Sequence, residues 1–156
     1  MKSIVVYESF YGNTKNVAEI IALNIDDCVA IHVDDLDKTQ IKEDDLVIVG
    51  SPTRAFKSSK KINTFIKKLP QKIALVAVFD TRMHITDETP KFLRVLEKKF
   101  GYATDTMIKI IKKHNLNLYS VPGEFFVDGT EGPLSENETE KIQAWALQLN
   151  QYFNKI

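Results

Sequence analysis

Between an apolar run at residues 3–7 and an amphipathic stretch further on lie Glu8-Ser9-Phe10-Tyr11-Gly12-Asn13-Thr14. Ser9, Tyr11, Asn13 and Thr14 offer hydrogen-bonding side chains at close spacing. Gly12 lets the backbone turn tightly and come close to a ligand. A helix opening near Asn13 adds free N–H groups and the positive end of its dipole. Such a combination binds anions. Lys15 is the nearest cation. The loop matches neither the G-x-x-x-x-G-K-[ST] nor the G-x-G-x-x-G phosphate motif. A plain capped turn between strand and helix would use the same residues, so loop chemistry alone leaves both readings open.

Two more polar stretches follow apolar runs: Gly50-Ser51-Pro52-Thr53-Arg54-Ala55-Phe56 and Phe79-Asp80-Thr81-Arg82-Met83-His84. Arg54 can stack its guanidinium on a π face, and Phe56 suits either ring contact or a core anchor. The three histidines, His32, His84 and His114, are dispersed and gather no carboxylates, which argues against a metal site. The single cysteine, Cys28, has apolar neighbours (Val29, Ala30, Ile31) and reads as a buried structural thiol.

These loops need elements to position them. Short apolar runs at 3–7, 28–33, 45–51 and 73–79 read as strands; the last is apolar throughout, as befits a strand covered on both faces. A helical pattern opens near Asn13 and runs through 17–25. Ile62, Phe65, Ile66 and Leu69 form a stripe at i, i+3, i+4, i+7 that Pro70 stops. Helical pieces follow at 90–100 and 105–114, separated at Gly101. A fifth strand is expected at 117–121, with a second extended piece at 124–127. The last helix is expected over 134–156, with Ser135 as N-cap and Glu138 completing a capping box. Ile142, Trp145, Ala146, Leu149 and Phe153 line its core face. Strands alternating with helices imply an α/β fold with a parallel sheet, right-handed crossovers and helices on both faces. Ligands in such folds sit beyond the carboxyl ends of the strands, where the three polar loops fall.

Composition sets the frame. A length of 156 residues suits one domain, 1–156, with one sizeable core. With 21 basic and 21 acidic residues, no net field favours nucleic acid or an anionic membrane. The N-terminal apolar run is too short for a secretory signal, and no stretch approaches the roughly 20 apolar residues of a membrane span. A cytoplasmic location is expected.

S-x-Y-G-N-T after the first strand (Ser9, Tyr11, Gly12, Asn13, Thr14) resembles the FMN-phosphate loop of flavodoxins, and the order of later elements matches over nearly the whole chain. The resemblance implies a flavodoxin-like three-layer sandwich, a five-stranded parallel sheet of order 2-1-3-4-5, and FMN as cofactor. It places the phosphate on Ser9, Phe10, Tyr11, Gly12, Asn13 and Thr14. One flavin face falls to Pro52, Thr53, Arg54, Ala55 and Phe56, and the other side to Asp80, Thr81, Arg82, Met83 and His84. F-D-T-R and Gly129-Thr130-Glu131-Gly132-Pro133-Leu134 are similar to stretches in short bacterial and archaeal flavodoxin-like proteins. No Tyr or Trp holds the usual stacking place; Met83 or His84 could substitute. Many flavodoxins have in the second loop a Gly whose peptide flips toward the reduced flavin. Ala55 stands at the comparable place, and a positive φ would cost an L-residue about 1–2 kcal/mol. A less stabilised one-electron-reduced state is therefore expected.

The implied function is a one-electron carrier between redox protein partners, without nucleic-acid or membrane partners and with a monomer favoured. An FMN-dependent NAD(P)H:quinone-type reductase is the alternative; a module that has lost FMN and binds proteins is a third. Charge is unevenly spread. Residues 57–72 carry Lys57, Lys60, Lys61, Lys67, Lys68 and Lys72 and no acid, whereas residues 26–45 are rich in Asp and Glu. These runs read as solvated faces or as docking patches. Typical flavodoxins are strongly acidic around the flavin. The weaker acidity here implies a less negative potential for full reduction.

Overall fold

The computed structural model describes residues 2–37 and 40–156. Five strands form one parallel sheet: β1 (Ser3–Tyr7), β2 (Cys28–His32), β3 (Leu46–Pro52), β4 (Leu75–Met83) and β5 (Gly123–Val127). Their order is β2-β1-β3-β4-β5, as the resemblance implied. Five helices accompany them: α1 (Asn13–Leu23), α2 (Lys60–Lys67), α3 (Lys91–Phe100), α4 (Ala103–Lys113) and α5 (Glu138–Phe153).

The strand runs read as apolar at every position because alternate residues feed two different cores. Val5, Tyr7, Ile48, Ala77 and Phe79 point to the face covered by α1 and α5, where they meet Val17, Ile21, Trp145 and Leu149. Ile4, Val6, Val47, Val49, Val76 and Val78 point to the other face and meet Ile62 and Ile66 of α2 and Met107 and Ile111 of α4. The expected stripe on α5 is indeed core. β3 needs glycine at Gly50 because a Cβ there would overlap the Phe79 ring. That close approach lets Phe79 reach Trp145, 6.4 Å between centroids.

Three expectations need correction. β4 runs on to Met83, so Asp80, Thr81 and Arg82 lie in a strand and not in a loop. Its last residues stay extended because β3 and β5 pair with them on both sides, Pro52 opposite Thr81 and Phe125 opposite Thr81. β5 is Gly123–Val127; the 117–121 piece contributes only a bridge from Leu118 to Val76. The capping box of α5 does not form. The helix begins at Glu138 behind Asn137, whose φ of 66° starts it without a side-chain cap. Ser135 and Glu138 are instead drawn to other partners: Ser135 Oγ donates to Asp128 Oδ1 at 2.8 Å, and Glu138 accepts the Phe126 N–H at 3.0 Å.

Candidate functional site

The loop after β1 is built around Gly12. Its φ of 91° is the left-handed conformation that glycine tolerates, and it lets α1 start at once. Ser9 Oγ accepts the Gly12 N–H at 3.1 Å and closes the turn. α1 then opens with no side-chain cap and no acid in its first turn. Its first amides, the groups a helix leaves unsatisfied, are available to an outside anion. Asn13 is held from across the molecule. Its Nδ2 donates to the Glu131 carbonyl at 2.9 Å, and a Cβ on Gly132 would overlap its side chain. Thr14 is buried and its hydroxyl meets that of Thr81 at 2.8 Å, tying α1 to β4. Phe10 and Tyr11 are about half exposed.

The second loop extends the sheet before it turns. Thr53 N–H donates to the Thr81 carbonyl at 2.9 Å. Arg54 and Lys57 then exchange backbone hydrogen bonds, both 3.1 Å. The two residues between them, Ala55 and Phe56, have φ of 47° and 63°. This is the tight turn that usually asks for Asn-Gly. The positive φ expected to penalise Ala55 is therefore already adopted, at both central positions. Arg54 lies over the exposed Phe10 ring, 4.4 Å from its centroid.

The third stretch splits by strand alternation. Asp80 is fully buried and turns toward α4. Arg82 grips it with two hydrogen bonds of 2.8 Å, and Thr104 N–H donates to it at 3.1 Å. Thr53 Oγ1 donates to the same carboxylate and accepts the Ala103 N–H. One buried cluster thus fixes the second loop, the end of β4 and the start of α4. Burial pushes the Asp80 carboxyl above its usual range, while Arg82 and then Thr104 pull it down. Burial pulls the Arg82 guanidinium down, but Asp80, with Glu124 and Tyr102, leaves it raised. With so many donors converging on Asp80, the pair is held as ions. Arg82 also lies 3.6 Å over the Tyr102 ring. Burial, and next Glu97, push the Tyr102 hydroxyl up to about 12. His84 turns away toward the last loop. It stacks on Phe126 with 4.5 Å between centroids, and its Nε2 meets Ser135 Oγ at 2.9 Å. Because Ser135 gives its proton to Asp128, His84 Nε2 is the donor in that bond.

Together these stretches enclose a cavity of about 290 Å³ at the carboxyl ends of β1, β3 and β4. Ser9, Phe10, Tyr11, Asn13 and Thr14 line it, with Pro52, Thr53, Arg54 and Ala55, and Thr81, Arg82 and Met83. Gly12, Phe56, Asp80 and His84 do not. Gly12 shapes the turn, and Asp80 sits behind the wall. Phe56 and His84 line an adjoining cavity of about 260 Å³, with Ile85, Leu93 and Tyr102. Val127 and Thr130 line the main cavity but were missing from the expected set. The G-T-E-G-P-L stretch, noted in the sequence but not assigned to the site, was the signal for Thr130; Val127 fell in the extended piece 124–127.

A family model described as a flavodoxin domain matches residues 4–107, a span that contains all three stretches. The chain belongs to the flavodoxin family. No curated protein matches it. Among solved structures it is similar to a flavodoxin from the domain Archaea, at a TM-score of 0.74 and 20% identity, covering 99% of both chains. It is also similar to Flavodoxin 2 from Bacillus cereus, at a TM-score of 0.66 and 18% identity, covering 97% of this chain and 99% of that one. A flavodoxin, WrbA-like protein from Agrobacterium tumefaciens gives a TM-score of 0.69 at 15% identity, covering 99% and 98%.

Flavodoxins generally bind flavin, typically FMN. The donor set of this flavodoxin fits such a group at one end: uncapped α1 amides, two hydroxyls and an amide, with no acid in that turn. Charge on the phosphate would be met by dipoles and hydrogen bonds, with Arg54 on the opposite wall. Among the described residues, no cluster of His, Cys, Asp or Glu could hold a metal.

Proposed function

We propose that this flavodoxin binds one FMN in the cavity at the ends of β1, β3 and β4 and serves as an electron carrier between redox proteins. The observation that supports this best is the convergence of three separate stretches on one cavity whose α1 end has an uncapped helix start and no acid in its first turn. Ser9, Asn13, Thr14 and the first amides of α1 hold the phosphate. Thr53, Arg54 and Ala55 form one wall for the ring and Met83 the other. When bound, FMN supplies the one-electron chemistry. The protein's part is to hold the ring, fix the second loop through Asp80 and Thr53, and leave Phe10 and Tyr11 at the surface.

The reductase reading is favoured by one observation. The adjoining cavity, with Phe56, Met83, Ile85, Leu93 and Tyr102, is sized for a small aromatic acceptor beside the ring. Steady-state assays with NADPH and a soluble quinone separate the two. A carrier loaded with FMN gives no sustained NADPH oxidation but passes electrons to a one-electron acceptor once chemically reduced. Sustained, quinone-dependent turnover would select the reductase.

A further inference from the structure

The rim beside the second loop is basic. Arg54, Lys57 and Lys60 are exposed there, and among the described residues none has a carboxylate within ion-pair reach. Two carboxylates lie near this rim. Glu8 is buried at the base of the groove that Arg54, Lys57 and Lys60 line, and Asp34 is paired with Lys61 at 2.6 Å. The cations are also well placed. The two-way bonding of Arg54 and Lys57 fixes both at the base of a tight turn, and Lys60 opens α2 directly behind Ser59. Lysines at the start of a helix oppose its dipole, and α2 has no acid in its first turn to offset them. Lys61 is offset by its pairing with Asp34, but Lys60 has no such partner among the described residues, which points to a use outside the fold.

Next to these cations, Phe10 and Tyr11 stand about half exposed, with Arg54 stacked on Phe10. Exposed aromatics and Arg are the residue types enriched where proteins dock. The opposite rim of the cavity carries Asp128 and Glu131, both exposed. The face is thus split by sign, basic over the second loop and acidic over the last.

We infer that the Arg54, Lys57 and Lys60 rim is the docking surface for a small acidic electron-transfer protein. The partner's acidic patch lies over the second loop, and the acidic rim sets its orientation by repulsion. The inference rests on the electron-carrier reading for what the partner delivers, but the surface exists without it. Complementary charge would speed the encounter and make it sensitive to salt.

The test is the affinity of the FMN-loaded protein for an acidic [2Fe–2S] ferredoxin, with basic cytochrome c as the opposite probe. The variant is Lys57→Glu combined with Lys60→Glu. Neither side chain lines the FMN cavity, and Glu in the first turn of α2 suits the helix dipole, so the variant folds. We expect ferredoxin binding to weaken at least about tenfold in the variant, and also in wild type between about 20 mM and about 300 mM salt. FMN affinity stays unchanged. Unaltered ferredoxin binding in the variant, or tighter binding of cytochrome c than of ferredoxin to wild type, would overturn the inference. A chain that takes up no FMN but still loses ferredoxin on charge reversal would refute the carrier reading and leave the surface standing.

Discussion

Asp80 looked in the sequence like a polar loop residue facing a ligand; its place in the structure gives it a different task. Residues of a strand alternate sides, so once β4 continues through Met83, Thr81 must face the cavity and Asp80 must face α4. No local pattern signals this, because the apolar run stops at Phe79 and the extension depends on pairing with β3 and β5. Asp80→Ala leaves the Arg82 guanidinium buried without its main partner. We expect a loss of about 3 kcal/mol in urea unfolding, the lower end for a broken buried pair, since Glu124 lies 3.6 Å from Arg82. The left-handed Ala55 and Phe56 were equally hidden, since neither residue type announces a positive φ. Cys28, read from its neighbours as buried, is half-buried against the core beneath α1 and α5. Burial pushes its thiol up to about 12. The folded thiol stays protonated where the unfolded one ionises, so its share of stability is whole below about pH 9 and fades as pH rises toward 12. Alkylation at pH 8 should therefore be slow in the native protein and rise sharply on unfolding. Equal rates in both states would show the thiol to be open.

Most elements could be read from the sequence because propensity, periodicity and stop signals agreed. The i, i+3, i+4, i+7 stripe located α2, and Gly101 separated α3 from α4. The start of α5 misled for a physical reason: Ser135 and Glu138 have the spacing of a capping box, but Asp128 and the Phe126 amide compete for them and win. α3 is the unusual element. None of its residues is buried, and Phe92 and Val95 are more than half exposed. Its apolar side meets the adjoining cavity only through Leu93. Phe92→Ser should change unfolding free energy by less than about 0.5 kcal/mol, and α3 amides should exchange faster than those of α1, α4 and α5. A cost above about 1.5 kcal/mol would mean that Phe92 packs against something in solution.

At the scale of the whole molecule, alternating strands and helices with right-handed crossovers imply a parallel sheet, the resemblance implied its order, and that order sets the switch point where the cavity lies. That logic explains why three stretches far apart in sequence meet at one end of the sheet. The fourth stretch, with Thr130 and the Glu131 carbonyl that holds Asn13, comes from the loop after β5. Its role depends on a contact across the molecule that no local pattern encodes. The basic run at 57–72 and the acidic run at 26–45 were visible as runs. Their meeting at Lys61 and Asp34, which leaves Arg54, Lys57 and Lys60 without an ion pair among the described residues, was not.

The proposed carrier role requires an FMN site built from α1, the second loop and the end of β4. The most direct measurement is the visible absorption of the purified protein titrated with FMN, alongside Asn13→Ala and Gly132→Ala variants. Flavin bands that shift and saturate near one FMN per chain are expected. Affinity at least about tenfold weaker in both variants is expected too, the equivalent of about 1.4 kcal/mol. Wild-type protein whose addition leaves the spectrum of micromolar FMN unchanged would contradict that role. The loop after β1 would then be only the start of a helix, and a protein-binding module would be the better reading.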